Sequence, residues 1–320
     1  MSEPNAVILN HPGVASTLKR WVLATRPPFL SASIFPVLAG TAWGYGRSGS
    51  FDLPAFALAT LATALAHGAI NVLNDVYDEK NGTDAINTER IFPFTGGSRF
   101  IQNNIMDIGQ MARLGWGLLV AALFFGLWLT ALKGWLIIAL GAAGVFLGIV
   151  YSAPPLALAS RGMGEIAVGI GFGPIPVLGA AWLQGAPVDA GSITLSVIIG
   201  LWVALILINN EIPDIGADKK AGKKTLAVRL GQKNTAWLYF FLHFLAMMLV
   251  GYLALGEMIK PYALAVLLAL FPMSLNAARL IYSSADDDKS VAVDKMTKAI
   301  KSTLAIQAIG SIWLAIIVLL

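Results

Sequence analysis

Apolar runs of about twenty residues recur along the chain, and polar segments separate them. Each run has nearly the length that one helix needs to cross the hydrocarbon core of a bilayer, roughly 20 residues. We therefore predict an all-α, polytopic membrane protein with nine transmembrane helices. The predicted spans are residues 27–46, 54–74, 114–132, 134–151, 164–183, 193–210, 236–255, 261–282 and 303–320.

Basic residues test this count, because the cytoplasmic loops of membrane proteins carry an excess of Lys and Arg. With a cytoplasmic N-terminus, nine spans leave only Arg47, Lys133 and Lys260 outside, and 19 of the 22 Lys and Arg residues fall inside. Fusing the third and fourth spans would scatter the later basic loops to the opposite side. We therefore predict a cytoplasmic N-terminal segment, residues 1–26, followed by a single transmembrane domain, residues 27–320.

Composition supports the membrane assignment. The 320 residues are 57% hydrophobic and 12% charged, whereas a soluble domain is about 25% charged. The absence of cysteine excludes disulfides and thiolate metal sites. Membrane orientation accounts for the net charge of +4, so no nucleic-acid partner is needed to explain it. The sequence indicates no oligomeric state.

A short polar pattern occurs twice, each time at the end of an apolar span. "NDVYD" begins at Asn74 and "NEIPD" at Asn210, so both copies begin Asn-acid-x-x-Asp and lie 136 residues apart. The second and sixth spans are separated by an even number of crossings, which brings both copies to the same membrane face. An internal parallel repeat of a four-helix unit, plus one extra helix, predicts this arrangement.

Helical spacing places the polar residues of each copy on one stripe of its helix end. The first stripe contains Asn71, Asn74, Asp75 and Asp78, and the second contains Asn210, Glu211, Asp214 and Asp218. Like charges at such density are unstable unless cations neutralise them. Carboxylate and amide oxygens favour hard ions such as Mg²⁺, which completes its shell with water and substrate phosphates. The two stripes therefore predict a Mg²⁺ site.

Basic residues follow both stripes, which suits a diphosphate substrate at the membrane surface. "DKKAGKKTLAVRLG" (218–231) supplies Lys223 and Lys224, and "TGGSR" (95–99) supplies Arg99. A structural explanation exists for each feature, since Asp and Asn often end helices and Lys-rich loops orient membrane proteins. Two matched stripes on one face favour the functional interpretation.

At these residues the sequence resembles the UbiA superfamily of intramembrane aromatic prenyltransferases. "NDVYDEKNGTD" is similar to the family's first Asp-rich motif and "NEIPDIGADKKAGKKTLAVRLG" to its second. "YSAPPLALASRGMGEIAVGIGFGPIPVLGA" (151–180) resembles the segment around the family's fifth helix. The "GTD", "TGGSR" and "TLAVRLG" elements most resemble the menaquinone branch. Two departures are Gly82, where the tighter pattern has Asp, and Pro213, where some quinone-branch members have Arg.

The resemblance implies a bundle of nine helices around a central cavity, in the inner membrane of a prokaryotic cell, with the active site facing the cytoplasm. It implies Mg²⁺ as cofactor, and a polyprenyl diphosphate and an aromatic quinone precursor as substrates. The implied metal ligands are Asp75, Asp78, Asp84, Asp214 and Asp218. Lys223 would assist the same chemistry, while Asn71, Asn74, Asp84, Arg99, Arg161, Asn210, Glu211 and Lys224 would bind substrate.

An allylic diphosphate ionises when cations neutralise its leaving group, and the resulting carbocation attacks an electron-rich ring. Tyr151 could stabilise that cation through its ring face, although Tyr near a membrane interface is commonly a belt residue. The resemblance favours 1,4-dihydroxy-2-naphthoate as acceptor, with loss of CO₂ in menaquinone biosynthesis. Its carboxylate needs a cation, for which we choose Arg161.

Other functions remain open. Another acceptor, such as 4-hydroxybenzoate, homogentisate or a tetrapyrrole, would suit the same fold. A secondary transporter also contains repeats with polar residues, but it places them at the membrane midplane. A CDP-alcohol phosphotransferase also uses Mg²⁺ and clustered aspartates, but its denser single motif is absent from this sequence.

Overall fold

The computed structural model describes residues 3–320, and all the regular elements in that range are helices. Short 3₁₀ turns precede or follow several of them, notably at Pro27–Phe29 and Leu158–Ser160. The α-helices are α1 (Ala6–Leu9), α2 (Val14–Ala24), α3 (Ser31–Ser48), α4 (Leu53–Lys80), α5 (Thr83–Ile86), α6 (Ile108–Lys133), α7 (Trp135–Ser152), α8 (Gly164–Phe172), α9 (Pro174–Leu183), α10 (Ala190–Glu211), α11 (Ile215–Lys220), α12 (Leu226–Leu230), α13 (Gln232–Leu255), α14 (Ala265–Ser283) and α15 (Lys289–Leu319).

Within residues 3–320, eight helices or helix pairs are long and apolar enough to cross a membrane, and the bent pair of α2 with Pro27–Ser48 supplies a ninth. Each of the nine predicted spans coincides with one of them. The all-α, membrane-spanning fold class is therefore confirmed. α2 and the following helix meet at an angle of 49°, because Arg26 is in the left-handed region and two prolines follow it.

Several helices extend well beyond the apolar runs that predicted them. α6 begins at Ile108, six residues before the predicted span, because Asp107 and Gln110 form reciprocal capping hydrogen bonds of 2.7 and 2.9 Å. α15 begins at Lys289, so most of the segment predicted as a loop between the last two spans is helical. Hydropathy measures only the part of a helix that suits lipid, whereas polar residues can continue the same helix into water.

The fifth span is broken at Gly173, where α8 ends and α9 begins. Pro174, the residue after the break, has no backbone N–H and so cannot make the hydrogen bond that would continue α8 into α9. A Cβ at position 173 would lie 2.4 Å from the Ser196 carbonyl oxygen and 2.6 Å from the Gly200 Cα. Glycine at this break therefore lets α10 approach the backbone of the fifth span directly.

The helices end in contrasting ways at the two faces of the bundle. On one face, residues 81–107 form a long polar segment that folds back over the helix ends. On the other face, the connections are short and tied together. Lys133 forms a 2.6 Å ion pair with Asp52, whose backbone exchanges hydrogen bonds of 2.6 and 3.1 Å with the Gln184 side chain. Trp182 donates a 3.0 Å hydrogen bond to the Lys133 carbonyl. We call these four residues the closing clamp.

Candidate active site

A cavity of about 530 Å³ lies inside the bundle. Its walls are largely apolar and come from α4, α6, α7, α8, α9 and α10. At the end near the closing clamp, a layer of buried apolar side chains lines it, including Val37, Leu129 and Leu183. At the opposite end the lining becomes polar, and both sequence motifs lie there. A substrate with a charged head and a hydrocarbon tail matches this division.

The end of α4 supplies the first stripe. Asn71, Asn74 and Asp78 line the cavity. Asn74 donates a 3.2 Å hydrogen bond to Asp78 and another of 3.2 Å to the Ser152 hydroxyl. Asp75 points differently. It does not contribute to the lining, pairs with Arg26, and accepts a 3.1 Å hydrogen bond from the Ser98 backbone.

The end of α10 and the segment after it supply the second stripe. Asn210, Glu211, Asp214 and Asp218 all line the same cavity. Asp214 accepts hydrogen bonds from the Asn87 side chain, at 2.8 Å, and from the Gly96 backbone, at 3.2 Å. Among residues 3–320, no side chain bonds the Asn210 Oδ1 or Glu211 Oε2 atoms, although both atoms are buried.

Lys223 joins the two stripes. Its ammonium lies 2.6 Å from Asp78 of the first stripe and 3.7 Å from Asp218 of the second. Burial alone would lower the pKa of Lys223, but the two carboxylates outweigh it and hold that pKa above its usual range. The side chain is therefore a permanent cation at the centre of the polar end.

The "TGGSR" segment bridges the motifs through its backbone. Gly96 donates to Asp214 and Ser98 to Asp75, while the Arg99 side chain donates a 2.7 Å bond to the Asp84 carbonyl. Gly96 and Gly97 both have positive φ, +73° and +78°, a conformation that glycine adopts without cost. The two glycines thus bring main chain between the carboxylates.

Several carboxyls near the cavity mouth hold protons more strongly than usual. Burial, reinforced by the negative charge of Asp78, raises the pKa of Asp84 to about 7. Burial likewise raises the pKa of Asp218 to about 7, although Lys223 opposes the shift. Burial also raises the pKa of Asp214, against the hydrogen bonds that it accepts. More carboxylates than cations meet here, so the site can take additional positive charge.

The donor set fits Mg²⁺ shared with a substrate rather than an all-protein metal cage. Asp78, Asp84, Asp214 and Asp218 line the cavity with oxygen donors. Among residues 3–320, no three acidic or His side chains form a ready-made metal cluster. Mg²⁺ is usually held by one or two carboxylates plus phosphate oxygens and water, and the residues Asn210 and Glu211 belong to the same lining.

Not all the residues predicted for the site reach the cavity. Tyr151 lines it, as do the members of both stripes except Asp75. Arg99, Arg161 and Lys224 are absent from the lining. Arg161 instead donates a 2.7 Å hydrogen bond to the Pro155 carbonyl. Since Arg161 turns toward its own loop, it does not supply the cavity cation for which it was chosen.

Two residues that were not among the predicted site residues also line the cavity. Arg26 lines the cavity, and its Nε atom is buried without a partner in residues 3–320. It reaches the site because the bend before Pro27 turns the chain inward, and the "RPP" sequence was a visible sign of that bend. Asn87, which lines the cavity and bonds Asp214, carries no comparable local signal.

The fold and the site define an integral, multi-pass membrane protein with an apolar cavity that ends in paired acidic motifs. The sequence model of the UbiA prenyltransferase family matches residues 33–299. The chain belongs to this family, and the identification made from its motifs is confirmed.

Named relatives point in the same direction. The chain is 33% identical over 264 residues to 1,4-dihydroxy-2-naphthoate octaprenyltransferase of Mycobacterium tuberculosis, covering 82% of this chain and 86% of the relative. It is 32% identical over 222 residues to the enzyme of the same name from Bacillus subtilis, covering 68% of each chain. A UbiA homologue from Archaeoglobus fulgidus, solved with GPP and Mg²⁺, superimposes with a TM-score of 0.63 over 90% of this chain and 97% of its own, at 18% identity. That likeness concerns the fold.

Proposed function

We propose that the protein transfers a polyprenyl group from an allylic polyprenyl diphosphate to 1,4-dihydroxy-2-naphthoate, with loss of CO₂, and that it requires Mg²⁺. The observation that carries the proposal is Lys223, which links Asp78 to Asp218 where an apolar cavity becomes polar. Membership of the prenyltransferase family supports the reaction class. The names of the two bacterial relatives support the acceptor.

The charged end of the cavity receives the diphosphate. Asp78, Asp84, Asp214 and Asp218 are the residues that would hold Mg²⁺, and Asp75 positions Arg26 from behind. Mg²⁺ bound there supplies Lewis-acid stabilisation of the leaving diphosphate. Lys223 exchanges its carboxylate partners for phosphate oxygens and adds charge-assisted hydrogen bonds to the leaving group. Asn74 keeps Asp78 oriented through their hydrogen bond.

The reaction balances without an additional base. The bond between C1 of the donor and the diphosphate oxygen breaks, and its electron pair leaves with the diphosphate. A new bond joins C1 to the ring carbon that carries the carboxylate. The carboxylate then leaves as CO₂, and the electrons of the broken carbon–carbon bond restore the aromatic ring. The positive charge gained from the prenyl cation cancels the negative charge of the carboxylate, so no proton has to be removed.

The apolar wall protects the cation from water. Phe29, Phe172 and His67 line the cavity, and His67 packs edge-on against Phe172 with 4.6 Å between ring centroids. Tyr151 lines the cavity with them. Exclusion of water prevents hydrolysis of the reactive intermediate, and the face of Tyr151 can stabilise positive charge.

Arg26 replaces Arg161 as our candidate for the acceptor carboxylate. Arg26 and Lys223 are the Lys and Arg side chains of residues 3–320 that line the cavity. Lys223 pairs with carboxylates of both acidic stripes, whereas Arg26 pairs with Asp75, which lies outside the lining. We therefore assign the second anion to Arg26. We expect Arg26→Gln to raise KM for the naphthoate more than KM for the donor.

We further propose that the active site faces the cytoplasm, which the placement of Lys and Arg supports. A prokaryotic inner membrane is proposed from the two bacterial relatives. Residues 27–320 would then be one transmembrane prenyltransferase domain, and residues 1–26 a cytoplasmic segment, of which residues 1 and 2 lie outside the described range. In residues 3–26, Glu3 forms a 2.6 Å ion pair with Arg90 of the polar segment. The N-terminal segment thus covers the same face as the acidic motifs.

A competition assay tests the proposal. Purified protein receives one polyprenyl diphosphate and equal amounts of 1,4-dihydroxy-2-naphthoate, 4-hydroxybenzoate and homogentisate, with Mg²⁺ or with chelator. We expect prenylation to be fastest on the naphthoate, with one CO₂ per product and none of either in chelator. Preference for 4-hydroxybenzoate with its carboxylate retained would overturn the acceptor. Full activity in chelator would overturn the metal requirement.

A further inference from the structure

The polar face of α4 continues one helical turn deeper into the cavity than its sequence motif. His67 precedes Asn71 by four residues, Asn74 by seven and Asp78 by eleven, so all four lie on one face of the helix. His67 lines the cavity as the other three do. This face therefore carries an imidazole roughly 16 Å along the helix from Asp78, where the surrounding lining is largely apolar.

The hydrogen bonds around His67 decide which ring nitrogen carries the proton. Ser33 of α3 donates a 2.8 Å hydrogen bond to the Leu30 carbonyl, which uses the only proton of its hydroxyl. The His67 Nδ1 atom lies 3.1 Å from the same hydroxyl oxygen, and that oxygen is left as an acceptor. Nδ1 therefore carries the ring proton, and Nε2 of the neutral imidazole carries a lone pair.

Packing holds the imidazole with Nε2 toward the cavity. Phe172 of α8 contacts the ring edge-on, with 4.6 Å between ring centroids, and Ser33 on its other side is completely buried. Within residues 3–320, the histidine nitrogens that are enclosed without a hydrogen-bond partner are the two ring nitrogens of His243. The Nε2 atom of His67 is not enclosed in this way, and no hydrogen bond within these residues occupies it. Its lone pair therefore faces cavity space.

Arg26 and His67 together match two adjacent groups of the proposed acceptor. Both residues line the cavity, and the guanidinium is close enough for its charge to act on the imidazole. In 1,4-dihydroxy-2-naphthoate, the hydroxyl at C1 is next to the carboxylate at C2. A cation suits the carboxylate, and a neutral hydrogen-bond acceptor suits the hydroxyl. Since only a hydroxyl ortho or para to the attacking carbon donates electrons to it, the C1 hydroxyl is the one that activates C2.

We propose that Nε2 of His67 takes the proton of the C1 hydroxyl while the prenyl group bonds to C2. Ring electrons form the new carbon–carbon bond, the oxygen at C1 becomes a carbonyl oxygen, and its proton moves to Nε2. The resulting β-keto carboxylate loses CO₂, the electrons of the broken bond restore the C1–C2 double bond, and Nε2 returns the proton to the oxygen. No net proton is gained or lost. The inference rests on the proposed prenyl transfer and adds a catalytic residue to it.

Two substitutions separate this role from packing, because each keeps one nitrogen position of the imidazole. His67→Asn keeps an amide near Nδ1 that can bond Ser33 but loses the atom at Nε2, whereas His67→Gln does the reverse. We expect His67→Asn to lower kcat with the naphthoate by roughly 100-fold, a usual contribution of a general base, and to leave KM for the donor nearly unchanged. His67→Gln should be faster than His67→Asn by roughly tenfold, the value of one hydrogen bond. His243→Asn is the matched control and should keep the parental kcat, since His243 is fully buried but does not line the cavity.

Parental kcat in folded His67→Asn would overturn the proposal. So would a larger loss in His67→Gln than in His67→Asn, because the bond to Ser33 would then be the part that matters.

A measurement on the unmodified protein covers variants that fail to fold. The chain has three histidines, so ¹⁵N-labelled imidazoles give few NMR signals, and His11→Gln and His243→Asn assign the remaining ones to His67. Adding 1,4-dihydroxy-2-naphthoate without donor should shift the Nε2 signal of His67. No shift at acceptor concentrations that support turnover would overturn the proposal. Absence of prenyl transfer by the parent protein to every acceptor would instead remove the proposed function, and the catalytic role of His67 with it.

Discussion

Gly97 permits a comparison in which backbone strain and site geometry can be separated. Gly97 and Gly82 have almost the same left-handed φ, +78° and +79°. An alanine in that conformation costs roughly 1–2 kcal/mol at either position. A Cβ at Gly82 would meet nothing within 4 Å, whereas a Cβ at Gly97 would lie 2.9 Å from Asp84 Oδ2 and 3.1 Å from Asp75 Oδ1. Gly82→Ala is therefore a control for backbone strain alone.

The additional effect of Gly97→Ala falls on the carboxylates. Ordinary van der Waals contact begins near 3.4 Å, so the Asp84 oxygen must retreat by about 0.5 Å. Asp84 is only 4% exposed, and its neighbours leave it little space. A displacement of about 1 Å in a catalytic arrangement can cost about 100-fold in rate. We therefore expect Gly97→Ala to lower kcat/KM by roughly 10- to 100-fold beyond any loss in Gly82→Ala.

Both variants and the parent protein would be assayed in detergent over a Mg²⁺ titration, with thermal unfolding measured in parallel. We expect the two variants to unfold at similarly lowered temperatures, and only Gly97→Ala to need more Mg²⁺ and to turn over more slowly. If Gly82→Ala lost as much activity, strain would explain the result and the contact with Asp84 would not matter. If Gly97→Ala kept full activity, the placement of main chain between the carboxylates would have no catalytic importance.

Three further predictions concern charged side chains and membrane topology. Lys223→Met should lower kcat/KM by roughly 10- to 100-fold, because it removes one hydrogen bond to a charged group. Retention of the parental kcat/KM would contradict a role of Lys223 in binding the diphosphate. Burial raises the pKa values of Asp84 and Asp218 to about 7, so Mg²⁺ that binds these carboxyls below pH 7 must displace protons. The apparent Mg²⁺ affinity should therefore rise between pH 6 and pH 8. Calorimetry that shows the same affinity across this range would refute the prediction. Since the chain has no cysteine, single cysteines introduced at Ser48 and Ser290 can be labelled without background. Ser48→Cys should react with an impermeant thiol reagent added outside, and Ser290→Cys should react only after permeabilisation. The reverse pattern would mean that the predicted membrane orientation is inverted.

Hydropathy located the membrane spans because lipid imposes a length and a composition on any segment that crosses it. It could not locate the start of α15, since the residues from Lys289 onward form helix outside the apolar run. The break at Gly173 is explained by contact with Gly200 of α10. Gly173 and Gly200 are far apart in the sequence, so their contact could not be predicted from the residues around either one.

The candidate site, like the fold, could be predicted from the sequence only in part. Spacing of three and four residues placed Asn74, Asp78, Asp214 and Asp218 together because helix geometry is regular. The positions of Arg161 and Asn87 depend on loops, whose course follows from tertiary contacts such as the 2.8 Å bond between Asn87 and Asp214. Spacing also could not show that Asp75 turns away from the cavity toward Arg26.

The closing clamp has a consequence for the membrane itself. A cavity inside a membrane-spanning bundle would let ions cross the membrane if water could pass through it from one face to the other. The ion pair of Lys133 with Asp52 and the paired hydrogen bonds of Gln184 close one end, behind a dry layer that includes Leu129 and Leu183. The protein can therefore keep a hydrated, highly charged mouth at one surface without becoming a channel.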